Sequence, residues 1–143
     1  MTIGGSLYDV EQAVYQRITQ DTVFNGHAQY YVDRVPLPAS ASRTVASVYL
    51  VSETTVPGGR GGKEQITLTF TIVSLSHDLN ELVRIDLDRL FHAVRYNWQL
   101  LATLGSGMRA FTRKDAAVNI PQPEKDVHMQ AVRYRVLFAP SIT

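Results

Sequence analysis

Residues 64–74 read Glu-Gln-Ile-Thr-Leu-Thr-Phe-Thr-Ile-Val-Ser. Ile66, Leu68, Phe70 and Ile72 alternate with Thr67, Thr69 and Thr71. A period of two places a dry row on one face of a strand and a hydroxyl row on the other. Just upstream, residues 56–63 read Val-Pro-Gly-Gly-Arg-Gly-Gly-Lys, with four glycines in five positions. Such a run predicts a flexible tip. Residues 45–55 form the strand on its other side. Val48, Tyr49, Leu50 and Val51 make that strand apolar on both faces, as in the interior of a sheet. Two strands flanking a glycine tip predict an antiparallel hairpin with a long tip.

The dry face needs a covering layer, and two helical patterns supply it. Over residues 6–19, Leu7, Val10, Val14 and Ile18 recur at helical spacing, with Ser6 as the expected N-cap and Asp9 in the first turn. Over residues 78–96, Leu79, Leu82, Val83, Leu87, Leu90, Phe91 and Val94 form a buried stripe, and Asp78 with Glu81 suggest the cap. Asn25-Gly26 reads as a turn. Residues 27–35 read as a strand stopped by Pro36, and residues 36–44 as a loop of Pro, Ala and Ser. Gly105-Ser106-Gly107 breaks the chain before a short strand at 108–113. Residues 114–126, polar and holding Pro121 and Pro123, read as a loop; residues 127–139 read as a final long strand. The expected fold is a single α+β domain over residues 1–143: a mostly antiparallel sheet with a long hairpin, packed against two helices. Val10, Val14, Leu82, Val83, Leu87 and Leu90 are expected to pack on its apolar face.

Composition narrows the chemistry. The 143 residues include 14 Lys and Arg against 13 Asp and Glu, a net charge of +1, which argues against a strongly basic nucleic-acid binder. There is no cysteine, so disulfides, thiol nucleophiles, cysteine zinc sites and iron–sulfur clusters are excluded. Residues 1–5 carry neither a charged region nor an apolar stretch of the secretory kind, and no apolar run approaches the roughly 20 residues of a membrane span. A soluble protein made and used in a reducing compartment, or one without need of disulfides, is expected.

Three motifs invite catalytic or ligand readings and fall short of them. A phosphate-binding loop needs a glycine, four intervening residues, then Gly-Lys-Ser/Thr, with a helix after it. Here Pro57 takes the glycine position before Gly62-Lys63, Glu64 replaces the hydroxyl, and a strand follows. Asp86, Asp88 and His92 resemble metal ligands, but Asp86 and Asp88 diverge on a helix. Asp88 and His92 alone do not close a site, so a solvated polar face with Arg84 and Arg89 is expected. Ser106 lacks the flanking pattern of a nucleophile elbow. No catalytic residue, cofactor or metal is assigned, and the chain is expected not to be an enzyme.

The last strand has a different character. Val132, Tyr134, Val136 and Phe138 make a core face; Met129, Ala131, Arg133, Arg135 and Leu137 make the other. Arginine among apolar residues suits an exposed face and equally a subunit interface. Tyr30, Tyr31, Tyr96 and Trp98 suit core packing or interface anchoring. Arg84 and Asp88, an i, i+4 pair on the polar edge of the second helix, offer a second candidate surface.

Four segments in this order, "LYDVEQAVYQRI" at 7–18, "EQITLTFTIVS" at 64–74, "HDLNELVRIDLDRLFHAV" at 77–94 and "MQAVRYRVLF" at 129–138, resemble those of the small tail-terminator or tail-completion proteins of long-tailed bacteriophages. The resemblance implies a structural virion protein without catalysis or cofactor, assembled in the host cytoplasm. It implies a ring, typically a hexamer, at the head-proximal end of the tail tube, where it ends tube polymerisation and joins tail to head. The implied partners are further copies of the chain, the tail tube protein and a head-completion or connector protein, with genome DNA passing through the lumen without specific binding. No membrane is involved. Arg60, Lys63, Arg84, Asp88, Arg133 and Arg135 are the candidate partner contacts, Arg60 and Lys63 through the glycine tip. The alternatives are a head-completion or stopper protein of the neck, and a small-ligand or enzymatic α+β domain.

Overall fold

The computed structural model describes residues 5–32, 45–55, 65–92, 99–103, 108–120 and 126–140. The helices are α1 (Gly5–Thr19), α2 (Thr22–His27) and α3 (His77–Phe91). The strands are β1 (Ala28–Val32), β2 (Ala46–Thr55), β3 (Gln65–Ser74), β4 (Gln99–Thr103), β5 (Met108–Ile120) and β6 (His128–Pro140). All six strands join one sheet in the order β1-β2-β3-β6-β5-β4. β1 runs parallel to β2 and every other pair is antiparallel. The expected α+β class and the β2–β3 hairpin are both observed. The hairpin's glycine tip, and with it Arg60 and Lys63, lies outside the described residues, as do Tyr96, Trp98 and Ser106.

The alternation in β3 sets the register of the whole sheet. Leu50, Phe70 and Val132 line up across β2, β3 and β6 on one face, as do Val48, Ile72 and Gln130. Ile66, Leu68, Phe70 and Ile72 are fully buried there, beneath Val10, Val14 and Ile18 of α1, Phe24 of α2, and Val83, Leu87, Leu90 and Phe91 of α3. A ring cluster anchors this core: Phe70 stacks on Phe91 at 5.4 Å and meets Tyr134 edge-on at 5.8 Å. The three helices among the described residues therefore lie on one side of the sheet.

The sheet is curled. The α1 residue Glu11 accepts from the Ser52 hydroxyl of β2 at 2.6 Å. Two turns on, Arg17 donates to Leu101 O of β4 at 3.0 Å and to Leu90 O of α3 at 2.9 Å. One helix can reach β2 and β4, far apart in strand order, only if the sheet wraps toward it. Burial lowers the Arg17 pKa from its ordinary value.

Several expectations need correction. The loop expected at residues 114–126 is strand as far as Ile120, because β6 offers a full-length partner and backbone pairing outweighs the polar composition of Lys-Asp-Ala-Ala-Val-Asn. The register shifts between Lys114 and Ala116, so Asp115 sits in a bulge. Residues 22–27 form a helix rather than a connection, capped by Asp21, whose carboxylate accepts from Phe24 N at 2.8 Å. The cap of α3 is Ser76, not Asp78: its hydroxyl accepts from Leu79 N. Helix α1 begins at Gly5, so Ser6 lies inside it and Asp9 lies beyond its first turn. Leu82, expected in the core, is 39% exposed because the stripe of α3 turns on Val83, Leu87 and Leu90. Val51 of β2 is 47% exposed, since only the other face of that strand is covered by helices.

Candidate functional site

Two polar constellations separate what this chain uses to hold itself together from what it presents outward. The first is internal. Asp88 on α3 faces the sheet, where Oδ2 accepts from Arg84 at 3.0 Å and from Lys114 Nζ of β5 at 2.9 Å; Oδ1 accepts from the Tyr134 hydroxyl of β6. Arg84 also donates to Glu81 at 3.0 Å. The anticipated Arg84–Asp88 pair is thus present, but it is half-buried and engaged with β5 and β6. Nothing in the sequence marks Lys114 as their partner, since its polar segment carries no strand pattern. On the far side of α3, Asp86 is buried, with Oδ2 2.7 Å from His27 Nδ1, and Arg89 forms a two-pronged pair with Asp21 at 2.9 Å. That pairing lowers the Asp21 pKa and raises that of Arg89. Asp86 and Asp88 point in different directions, and among the described residues no group of three or more His, Asp or Glu is placed to hold a metal.

Tyr134 ties this network to pH. Burial chiefly, and the Asp88 charge next, raise its pKa far above the ordinary phenol range. In the unfolded chain the phenol ionises near pH ~10. Stability owed to the protonated hydroxyl is therefore complete below that pH and is lost as pH rises, by about 1.4 kcal/mol per unit. The advantage of wild type over Tyr134→Phe in urea unfolding is expected to be about 1 kcal/mol at pH 9. It should vanish by pH 11. An advantage that persists at pH 11 would contradict this assignment.

A second buried network lies at the start of α3. Asn80 Nδ2 donates to Ile72 O at 3.1 Å and His128 O at 3.0 Å, and Gln130 Nε2 donates to Asn80 Oδ1 at 2.6 Å. Gln130 breaks the apolar row of β6, and that polar residue at a core position was the available signal. Beside it, His77, Glu81, Asn119 and His128 help line a cleft of about 280 Å³. Asn80 and Glu81 in its lining are engaged in the hydrogen bonds described above.

The outward constellation is the sheet face opposite the helices. Register places Glu53, Thr67, Arg135 and Arg113 in one row across β2, β3, β6 and β5, and Val51, Thr69, Arg133 and Ala116 in the next. Arg133 and Arg135 are exposed at its centre, and Arg135 meets the bulged Asp115 at 3.2 Å. Val51, Leu100 and Val118 are exposed on the same face at 45–59%. Of the six anticipated contact residues, Arg133 and Arg135 fall together here. Arg84 and Asp88 fall on the internal side.

No family model matches the sequence, and no curated protein matches it. A solved structure does. A chain in the virion of a native gene transfer agent particle aligns with a TM-score of 0.65 at 13% identity, covering 92% of this chain and 96% of that one. The two chains share a fold. The likeness spans nearly the full length of both. No helix among the described residues is long and apolar enough to cross a membrane.

Proposed function

We propose that this chain is a structural virion protein that closes the head-proximal end of a phage tail tube. Residues 1–143 act as one domain, several copies of which, typically six, form a ring that ends tube polymerisation and joins tail to head. The observation that carries this reading is the nearly end-to-end fold likeness to a chain of a gene transfer agent virion. The site agrees with it. The conspicuous exposed chemistry is a broad arginine, threonine and apolar face, which suits protein contact rather than turnover. A ring needs a heterologous interface, in which one surface of a copy meets a different surface of the next. Arg133 and Arg135 supply one of those surfaces, and Arg60 and Lys63 of the hairpin tip add charged contacts to the tube or to the connector. DNA passes through the lumen without specific binding, consistent with a net charge of only +1.

The test is quantitative mass spectrometry of purified particles combined with deletion of the gene. Several copies per particle are expected, near six. Without the protein, tails of uncontrolled length and heads left unjoined are expected. A copy number of zero or one, or normal particles from the deletion, would refute the reading.

A further inference from the structure

We infer that the exposed stripe of α1 docks on the open sheet face of a second copy, so that one chain's helical layer covers its neighbour's sheet. The inference rests on the ring reading above and names its two surfaces.

The stripe is chemically odd for a surface helix. The exposed described side chains of α1 are Tyr8, Gln12, Tyr15, Gln16 and Thr19, all uncharged. Solvent-facing helix surfaces ordinarily carry charge. Here the charges of α1 lie off the stripe: Glu11 is taken by Ser52, Arg17 by the two carbonyls it clips, and Asp9 is half-buried. Tyr8 and Tyr15 stand 64% and 51% exposed. They lie two turns apart, about 10.5 Å along the axis. The rest of the helical layer adds Val23 at 50% and Ile85 at 53%. Large tyrosine faces presented without charge mark a protein interface rather than a solvated surface.

The helix-free face of the sheet is its complement, on the part away from Tyr49 and Val73, which are buried on that face beside Val127. Thr67, Thr69 and Thr71 form a hydroxyl row spanning about 13 Å. Arg133 and Arg135 flank that row, with Arg113 one strand further. Guanidinium groups stack on tyrosine rings, and glutamine amides and threonine hydroxyls exchange hydrogen bonds. No cation on the exposed stripe of α1 opposes these arginines. Both surfaces belong to every copy and sit on opposite layers of it. Docking one on the other is therefore head-to-tail, and it closes into a ring where the rotation per step allows. The other candidate surface, the Arg84–Asp88 edge of α3, has both charges paired within the chain.

The test uses Tyr15→Glu and Arg133→Glu in the full chain, followed by sedimentation velocity up to millimolar concentration. Both side chains are exposed, and circular dichroism melts within a few degrees of wild type will show that the variants fold. Wild type is expected to self-associate and each variant to stay monomeric. An equimolar mixture of the two should form 1:1 dimers, because the Arg133→Glu copy keeps its helix and the Tyr15→Glu copy keeps its sheet face. The double variant should pair with neither. A mixture that stays monomeric while wild type associates overturns the docking, as does a wild type that remains monomeric at millimolar concentration. In both cases the ring reading is judged separately, by copy number in particles.

Discussion

Replacing Phe70 by alanine is expected to lower the unfolding free energy by about 4 kcal/mol, the centre of the range for buried aromatic residues. Phe70 is fully buried, and its ring is shared by Phe91, Tyr134 and, at 6.4 Å, Tyr30. Truncation therefore removes transfer energy, opens a cavity and breaks ring contacts worth roughly 0.5–1.5 kcal/mol each. A domain of this size holds only about 5–15 kcal/mol in total, so the variant should be marginal at 37 °C. Urea unfolding followed by circular dichroism should show a much lower midpoint with an unchanged slope. Phe70→Leu, which keeps most of the volume, should lose far less. A loss below about 1 kcal/mol for the alanine variant would mean that the sheet and helices do not meet at Phe70.

The second large effect is expected at Asp88. Asp88→Ala leaves Arg84, Lys114 and the Tyr134 hydroxyl without their shared acceptor. Breaking a buried ion pair by removing one partner costs about 3–5 kcal/mol. Arg84 and Lys114 keep about a quarter of their side-chain surface in water, at 25% and 24% exposure. Rehydration there places the expected loss near the lower bound, about 3 kcal/mol. Asp88→Asn should fall between wild type and alanine, since it keeps an acceptor for Tyr134 while removing the charge. Thermal melts of the three proteins at low and at 1 M salt provide the check. Identical melting points for wild type and alanine would mean that the carboxylate only decorates the surface.

The alternation in β3, the two apolar helix stripes and the dry row of β6 were legible because each has a strong period that tertiary context reinforced. Where the period was weak, context decided. The Lys114–Asn119 stretch carries no strand pattern, and only the length of β6 makes it one. The five residues of β4 and the single turn and a half of α2 are too short for periodicity to register, and α2 is held by Asp21 through a cap and a distant arginine. The cap of α3 lies two residues before the expected Asp78, because the Ser76 hydroxyl accepts from Leu79 N. For the candidate site, Arg133 and Arg135 were visible as charge on an otherwise apolar strand. The inward engagement of Arg84 and Asp88 was not visible, since their partners Lys114 and Tyr134 lie 26 and 46 residues away.

The Arg17 clip has a consequence for how this chain opens. Strand β4 is five residues long, sits at an edge of the sheet and has one neighbouring strand. Such strands ordinarily fray on their own, well before the rest of the molecule. Here the guanidinium that holds Leu101 O also holds Leu90 O and belongs to a helix 84 residues earlier in the chain. The edge strand, the end of α3 and α1 therefore meet at one guanidinium. Opening any one of them breaks a contact shared by the other two, although the chain visits them at widely separated moments of its synthesis.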